Sequence, residues 1–267
     1  MKVLITVKAY PTLSSKYDEL VCTAGFDEDG NWIRIYPIPF RKLDDYSKFK
    51  KYQWIELDLI KNSSDFRPES YKPVNIDKIT PGDWLDSEKG KWTKRKEFVL
   101  KNVYTDMSQL ISEAKDKDIC TSLAIFKPKE ILDFKIEEVD RNWSEDKIKK
   151  IKARSEQFNL FDDSDNFFKV VKKLPYKFSY IFTDQNDRSC KLMIEDWEIG
   201  MLFWNTLRRH SGNELKACED VKKKYFDDFA KTKDLYLYLG TTREFHFMAP
   251  NPFVIVGTFH PMKIKQN

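Results

Sequence analysis

Glycine is scarce in this chain, at 8 of 267 residues. The scarcity excludes a collagen-like repeat, a flexible glycine-rich linker and a low-complexity composition. Histidine is scarcer still, with only His210, His246 and His260. The four cysteines, Cys22, Cys120, Cys190 and Cys218, are scattered and never form a C-x-x-C pair. A secreted disulfide scaffold is denser in cysteine, and a structural zinc or iron–sulfur centre gathers about four thiolate or imidazole ligands at short spacing. The sequence therefore predicts reduced cysteines, no structural metal and no cofactor. No apolar run approaches the roughly 18–20 residues that cross a bilayer. Met1 to Val7 lacks the long apolar region and small-residue cleavage site of a secretory signal. A soluble, cytoplasmic protein with no membrane partner is expected. Catalytic signatures are missing as well. There is no Gly-x-Ser-x-Gly, His-Glu-x-x-His or Gly-x-Gly-x-x-Gly, so no catalytic residue is assigned.

Aromatic residues, by contrast, are plentiful: 20 Phe, 12 Tyr and 7 Trp. With 41% hydrophobic residues the chain can build a real core, and aromatics at this density favour strands. The 47 basic and 43 acidic residues leave a net charge of +4, so a polyanion would have to meet a local basic face.

Strands are expected at Val3–Lys8, Glu19–Phe26, Trp32–Ile38, Trp54–Ile60, Ser122–Phe126 and Ile131–Ile136. The turn Asp27-Glu28-Asp29-Gly30-Asn31 makes the second and third a hairpin. Further strands are expected at Lys177–Phe182, Lys191–Ile194, Leu235–Leu239 and Phe253–Gly257. Helical spacing marks Met107–Lys117 with Asp106 as its cap, Trp197–Arg209, and Glu214–Ala230. Arg41–Lys51 suggests a short helix, and Lys61–Pro73 a long polar loop of the kind that carries function. The charged stretch after Val139 and the acidic Phe161–Asn166 suggest a junction. The division is 1–139, a linker at 140–166, and 167–267, in an α+β, β-dominated fold.

Candidate binding residues come from four places. In the hairpin, Trp32, Arg34 and Tyr36 share one face, two flat rings with a guanidinium between them, suited to base stacking and phosphate contact. The structural alternative is rings that cover a core. The loop after Trp54–Ile60 offers Arg67, Tyr71 and Lys72, with Arg67 pairing to Asp65 or Glu69 as its structural alternative. Trp92, Lys94 and Arg95 interleave an aromatic with cations, a pattern that also makes ordinary solvated faces. Arg208 and Arg209 end a helix, where cations complement its dipole and could also meet phosphate. Glu195, Asp196 and Glu198 could hold a metal for acid–base chemistry, but acids at a helix start more often cap free amides.

Six strings in this order resemble one family: Lys8-Ala9-Tyr10-Pro11, Cys22-Thr23-Ala24-Gly25, Asn31 to Phe40, Arg67-Pro68-Glu69-Ser70-Tyr71, Ile194-Glu195-Asp196-Trp197-Glu198, and Leu239-Gly240-Thr241-Thr242. The chain is similar to bacterial proteins with a dual OB-type domain, linked with defence against foreign nucleic acid. The resemblance implies two small OB-like barrels with inserted helices, 1–139 and 167–267, and nucleic-acid binding. OB folds bind oligonucleotides on their strands and loops. Relatives in that family carry two cysteines and a Gly-His pair before the Asp-Trp-Glu string. Here Thr183 to Lys191 keeps only Cys190. The expected function is binding of single-stranded DNA or RNA in bacterial defence. The alternatives are a protein-interaction or sensor subunit of a defence complex, and a metal-dependent enzyme acting on nucleic acid.

Overall fold

Strand β1 (Lys2–Lys8) is buried from Val3 to Val7 without alternation. A strand apolar on both faces belongs in the middle of a sheet. The computed structural model describes residues 1–14, 18–40, 43–146, 148–149 and 172–263. In it β1 lies inside an eight-stranded sheet, flanked by Asp18–Phe26 on one side and Gln53–Glu56 on the other. The other members are β2 (Thr12–Ser14), β3 (Asp18–Phe26), β4 (Trp32–Ile38), β5 (Gln53–Glu56), β6 (Leu59–Lys61), β7 (Ser70–Pro73) and β8 (Thr80–Trp84). Their order is β6-β7-β4-β3-β1-β5-β8, with β2 on β3, and the sheet curls into a half-barrel. The β3–β4 turn is closed by Asp27, whose Oδ1 accepts from the Asn31 amide at 2.7 Å. Gly30 sits there at φ 88°, a conformation that glycine takes without strain.

The segment Trp54–Ile60, expected as one strand, is two. Its first part pairs with β1 and its second with β7, so the chain changes partners at Leu57–Asp58. The polar stretch 61–73 contains β7, which runs parallel to β4. Residues 41–42 lie outside the described set, and Asp45–Ser47 forms a single 3-10 turn.

Helix α1 (Thr93–Val99) leads from this sheet into the second half. There β9 (Val103–Tyr104), β10 (Leu123–Phe126), β14 (Tyr236–Thr241) and β15 (Phe253–Phe259) form a sheet of order β15-β14-β10-β9. A three-stranded sheet holds β11 (Glu130–Glu138), β12 (Tyr176–Thr183) and β13 (Ser189–Met193). Helix α2 (Met107–Lys115) starts at Asp106, whose side chain accepts from the amides of Ser108 and Gln109. Helices α3 (Trp197–Arg209) and α4 (Glu214–Lys222) are capped by Asp196 and Asn213, and α4 continues as π-helical turns over Lys223–Ala230. The fold is thus α+β and strand-dominated, with four α-helices among the described residues.

Three apolar clusters organise the packing. One draws only on the first sheet and its loops, with Val3, Ile5, Ile35 and Ile55 at its centre. The buried members of a second all lie beyond residue 106 and include Phe126, Tyr180, Phe203 and Tyr225. The third joins the two, packing Val7, Phe26, Tyr52 and Trp92 against Leu123, Ile125, Tyr238 and Phe259. Strands β10 and β11 precede the expected junction at 140–166, yet their partners are β14 and β12. Most of that junction, including the acidic Phe161–Asn166, lies outside the described residues.

Candidate functional site

Strand alternation puts Trp32, Arg34 and Tyr36 on one side of β4, where the first sheet meets the β10–β14 pair. They do not share one surface. Trp32 lines a cleft of about 630 Å³ together with Tyr71, Lys101 and Tyr104. Tyr36 lines a second cleft of about 300 Å³. Arg34 stands between them. It is 2% exposed and donates to Glu69 Oε1 (3.2 Å), Cys22 Sγ (3.3 Å), Ser122 O (3.1 Å) and Ser122 Oγ (2.9 Å). Cys22 lines the smaller cleft, whereas Glu69 and Ser122, themselves hydrogen-bonded, line the larger. The guanidinium is a partition, with its donors committed inside the protein.

Arg67 is built in the same way. It makes a bidentate pair with Asp65 (2.9 and 2.6 Å) and donates to the carbonyl of Thr241 at 2.7 Å. Asp65 also accepts from the Ser70 hydroxyl at 2.8 Å. Burial works to raise the Asp65 carboxyl, but the Arg67 charge and hydrogen bonds outweigh it and bring it down to about 2. Arg34 and Arg67 therefore clasp adjacent strand ends of the second half, because the Thr241 amide itself bonds to Ser122 O at 3.0 Å.

The smaller cleft gathers residues from all six strings named above: Ala9 and Tyr10, Cys22, Arg34 and Tyr36, Arg67, Glu195, and Thr241 with Thr242. Asn62, Ser64, Asp65, Arg243, Val254 and Val256 complete it. Glu195 lies next to a bridge between Ile194 and Ile255. Its neighbours Ile194 and Asp196 are buried, so alternation turns Glu195 to the face that Val254 and Val256 give to the cleft. Among the described residues its carboxylate has no hydrogen bond and no ion pair, and desolvation raises its pKa. Arg243 is exposed at the same cleft and has no partner among the described residues.

Two exposed aromatic rings pack together on residues close in sequence to the cleft lining. Phe66 lies between the lining residues Asp65 and Arg67 and is 46% exposed; Phe247 is 42% exposed. Their rings are 4.9 Å apart, with Phe245 and Met248 also exposed nearby in sequence. Sequence reasoning passed over Phe66, Phe247 and Arg243. An exposed aromatic has no periodic signature, and Phe66 reaches Phe247 only through the fold.

The other candidates are dispersed. Trp92 is buried against Tyr52, Phe259 and His260. Arg95 is 4% exposed, lies 4.0 Å over the Tyr52 ring and donates twice to the Leu85 carbonyl. Lys72, Lys94, Arg208 and Arg209 are exposed and line neither cleft. Tyr71 is half-buried, with the Lys61 ammonium 4.3 Å over its ring. The three carboxylates of the 195–198 string diverge. Asp196 caps α3 in full burial, which lifts its carboxyl to about 7 against the pull of Lys51. Glu198 pairs with Lys51 at 2.7 Å, and Glu195 faces the cleft. Among the described residues no three His, Cys, Asp or Glu side chains gather where they could hold a metal ion, and no helix is long and apolar enough to cross a membrane.

Two families match, one over each part of the chain. Residues 1–101 match a family described as Domain of unknown function (DUF8758), and residues 103–267 match one described as Domain of unknown function (DUF8757). No curated protein matches the chain.

Proposed function

The chain belongs to the family described as Domain of unknown function (DUF8757), and we propose that it binds nucleic acid, as a single strand of DNA or RNA, in bacterial defence. One observation carries the reading. Six separate strings, from both halves, meet at one cleft that Arg243, unpartnered among the described residues, also lines, and the exposed Phe66, next in sequence to the lining residues Asp65 and Arg67, packs its ring on Phe247. An exposed ring pair is a stacking platform, and a free guanidinium beside it meets a phosphate. Tyr36 and Tyr10 give the cleft aromatic walls. Trp32 and Tyr71 do the same for the larger cleft across the Arg34 partition. The curled first sheet supports reading the halves as OB-like barrels with inserted helices.

Fluorescence anisotropy with labelled single-stranded oligonucleotides tests this. With two or three phosphates neutralised, affinity should fall roughly tenfold between about 50 and 200 mM salt. Cys22 supplies a second readout. It is the one cysteine of the four that is not buried, and it lines the smaller cleft. Bound strand should slow its alkylation by iodoacetamide. Absence of binding to both DNA and RNA would overturn the proposal.

The exposed Phe66–Phe247 pair favours a second reading, a protein-interaction subunit, since contiguous exposed aromatics also mark protein contacts. A stoichiometric partner that co-purifies and is released by Phe66→Ala, with no oligonucleotide affinity in the freed protein, would favour it.

A further inference from the structure

We propose that the smaller cleft is a base pocket selective for guanine, with Glu195 accepting both N1–H and N2–H of the base; this rests on the nucleic-acid reading above. The starting point is which polar groups around the cleft remain uncommitted. Arg34 and Arg67 line it, but their donors are engaged by Glu69, Cys22, Ser122, Asp65 and Thr241. Asp65 is saturated by Arg67 and Ser70. Among the carboxylates that line the cleft, the one left is Glu195, half-buried and without a partner among the described residues. The cleft's nitrogen donors include Arg243 and the amide nitrogen of Asn62, whose Oδ1 is taken by the amide and hydroxyl of Ser64 at 3.3 and 2.8 Å.

A half-buried carboxylate without a cation demands hydrogen-bond donors, and it is best served by two at once. Among the common bases only guanine presents two adjacent donors, N1–H and N2–H, on its Watson–Crick edge. Adenine and cytosine present one amino group next to a bare acceptor nitrogen. Uracil and thymine present one N–H between two carbonyls, which repel a carboxylate. Guanine also carries O6 beside N1, an acceptor for the Asn62 amide. A volume of about 300 Å³ suits one base rather than an extended chain, and falls at the small end of ligand sites. Single-stranded recognition works by splaying a base out and reading that edge. Arg243 at the rim then stands where the backbone of the extruded nucleotide passes.

The test uses the full chain and a decathymidine in which one central base is guanine, inosine, adenine or thymine. Inosine keeps N1–H and lacks the N2 amino group. Guanine should bind about tenfold tighter than inosine and tighter still than adenine. Glu195→Gln should abolish the preference for guanine, bringing the guanine, inosine and adenine strands within about twofold of one another. The wild-type comparison of guanine with inosine stands even if that variant fails to fold. Equal affinity for all four strands would overturn the guanine pocket and leave nucleic-acid binding intact. Selectivity that survives Glu195→Gln in a folded protein would overturn the role of Glu195. No binding of any strand would overturn both readings.

Discussion

Arg34→Met removes the partition between the clefts, and its cost follows from what is left behind. The guanidinium makes four hydrogen bonds, two of them to Ser122. Ser122 O keeps the amide of Thr241, so its loss is modest, on the order of 1 kcal/mol. Glu69 is different. Its side chain is 10% exposed, and Arg34 is its ion-pair partner at 3.2 Å. Without Arg34 the carboxylate keeps only the Ser122 hydroxyl. Removing one member of a buried pair costs about 3–5 kcal/mol, mainly because the surviving charge is stranded. For a chain of this size that is a drop of roughly 10 °C in the melting midpoint. Adding Glu69→Gln to Arg34→Met should recover about 1–3 kcal/mol, since a neutral amide is cheaper to bury than an orphan charge. Urea titrations followed by far-UV circular dichroism, with calorimetry for the midpoint, measure both. A loss under about 1 kcal/mol for Arg34→Met would refute the reasoning, as would a double variant less stable than the single one.

Asp65 has a folded pKa of about 2, below its unfolded value. Its pair with Arg67 therefore stabilises fully above about pH 4 and loses its effect as pH falls toward 2. Asp65→Asn should flatten the stability–pH curve in that window, as read by urea midpoints at each pH. Gly200→Ala on α3 would place a methyl 2.2 Å from the ring of Tyr10. It should cost about 1–3 kcal/mol by overpacking, break the Trp204-to-Tyr10 hydrogen bond of 2.8 Å, and weaken oligonucleotide binding by displacing a cleft wall; denaturation and anisotropy report the two effects. Phe66→Ala and Phe247→Ala should each weaken single-strand binding by about 1–3 kcal/mol in anisotropy titrations. Their melting midpoints should shift little, because both rings are about half exposed.

Local chemistry was legible where one residue decides an element. Asp27 and Gly30 announce the hairpin, Asp106 starts α2, and the spacing of apolar residues marks α3 to within its observed ends. The alternation from Trp54 to Ile60 reads as one strand because periodicity records faces and not partners; the change from β1 to β7 is a tertiary fact. Strand β7 hides in a polar loop because its pairing uses backbone, with Tyr71 its single large apolar side chain. The same limit governs the site. The face of Trp32, Arg34 and Tyr36 was visible as a pattern, but nothing local says that a guanidinium 2% exposed will split it in two. The pairing of Arg67 with Asp65, two residues away, was within reach of sequence; its grip on Thr241, 174 residues away, was not.

That grip makes the cleft a joint product. Ala9, Tyr10, Arg34, Tyr36 and Arg67 come from residues 1–101, and Glu195, Thr241 and Arg243 from residues 103–267. Cut between those regions, the chain becomes a split pair in which neither fragment owns the whole cleft. A ligand that recognises only the reunited cleft would act as a clamp, tightening the association of the fragments about tenfold for every tenfold excess over its dissociation constant. Occupancy and assembly are then the same event, observed from two sides.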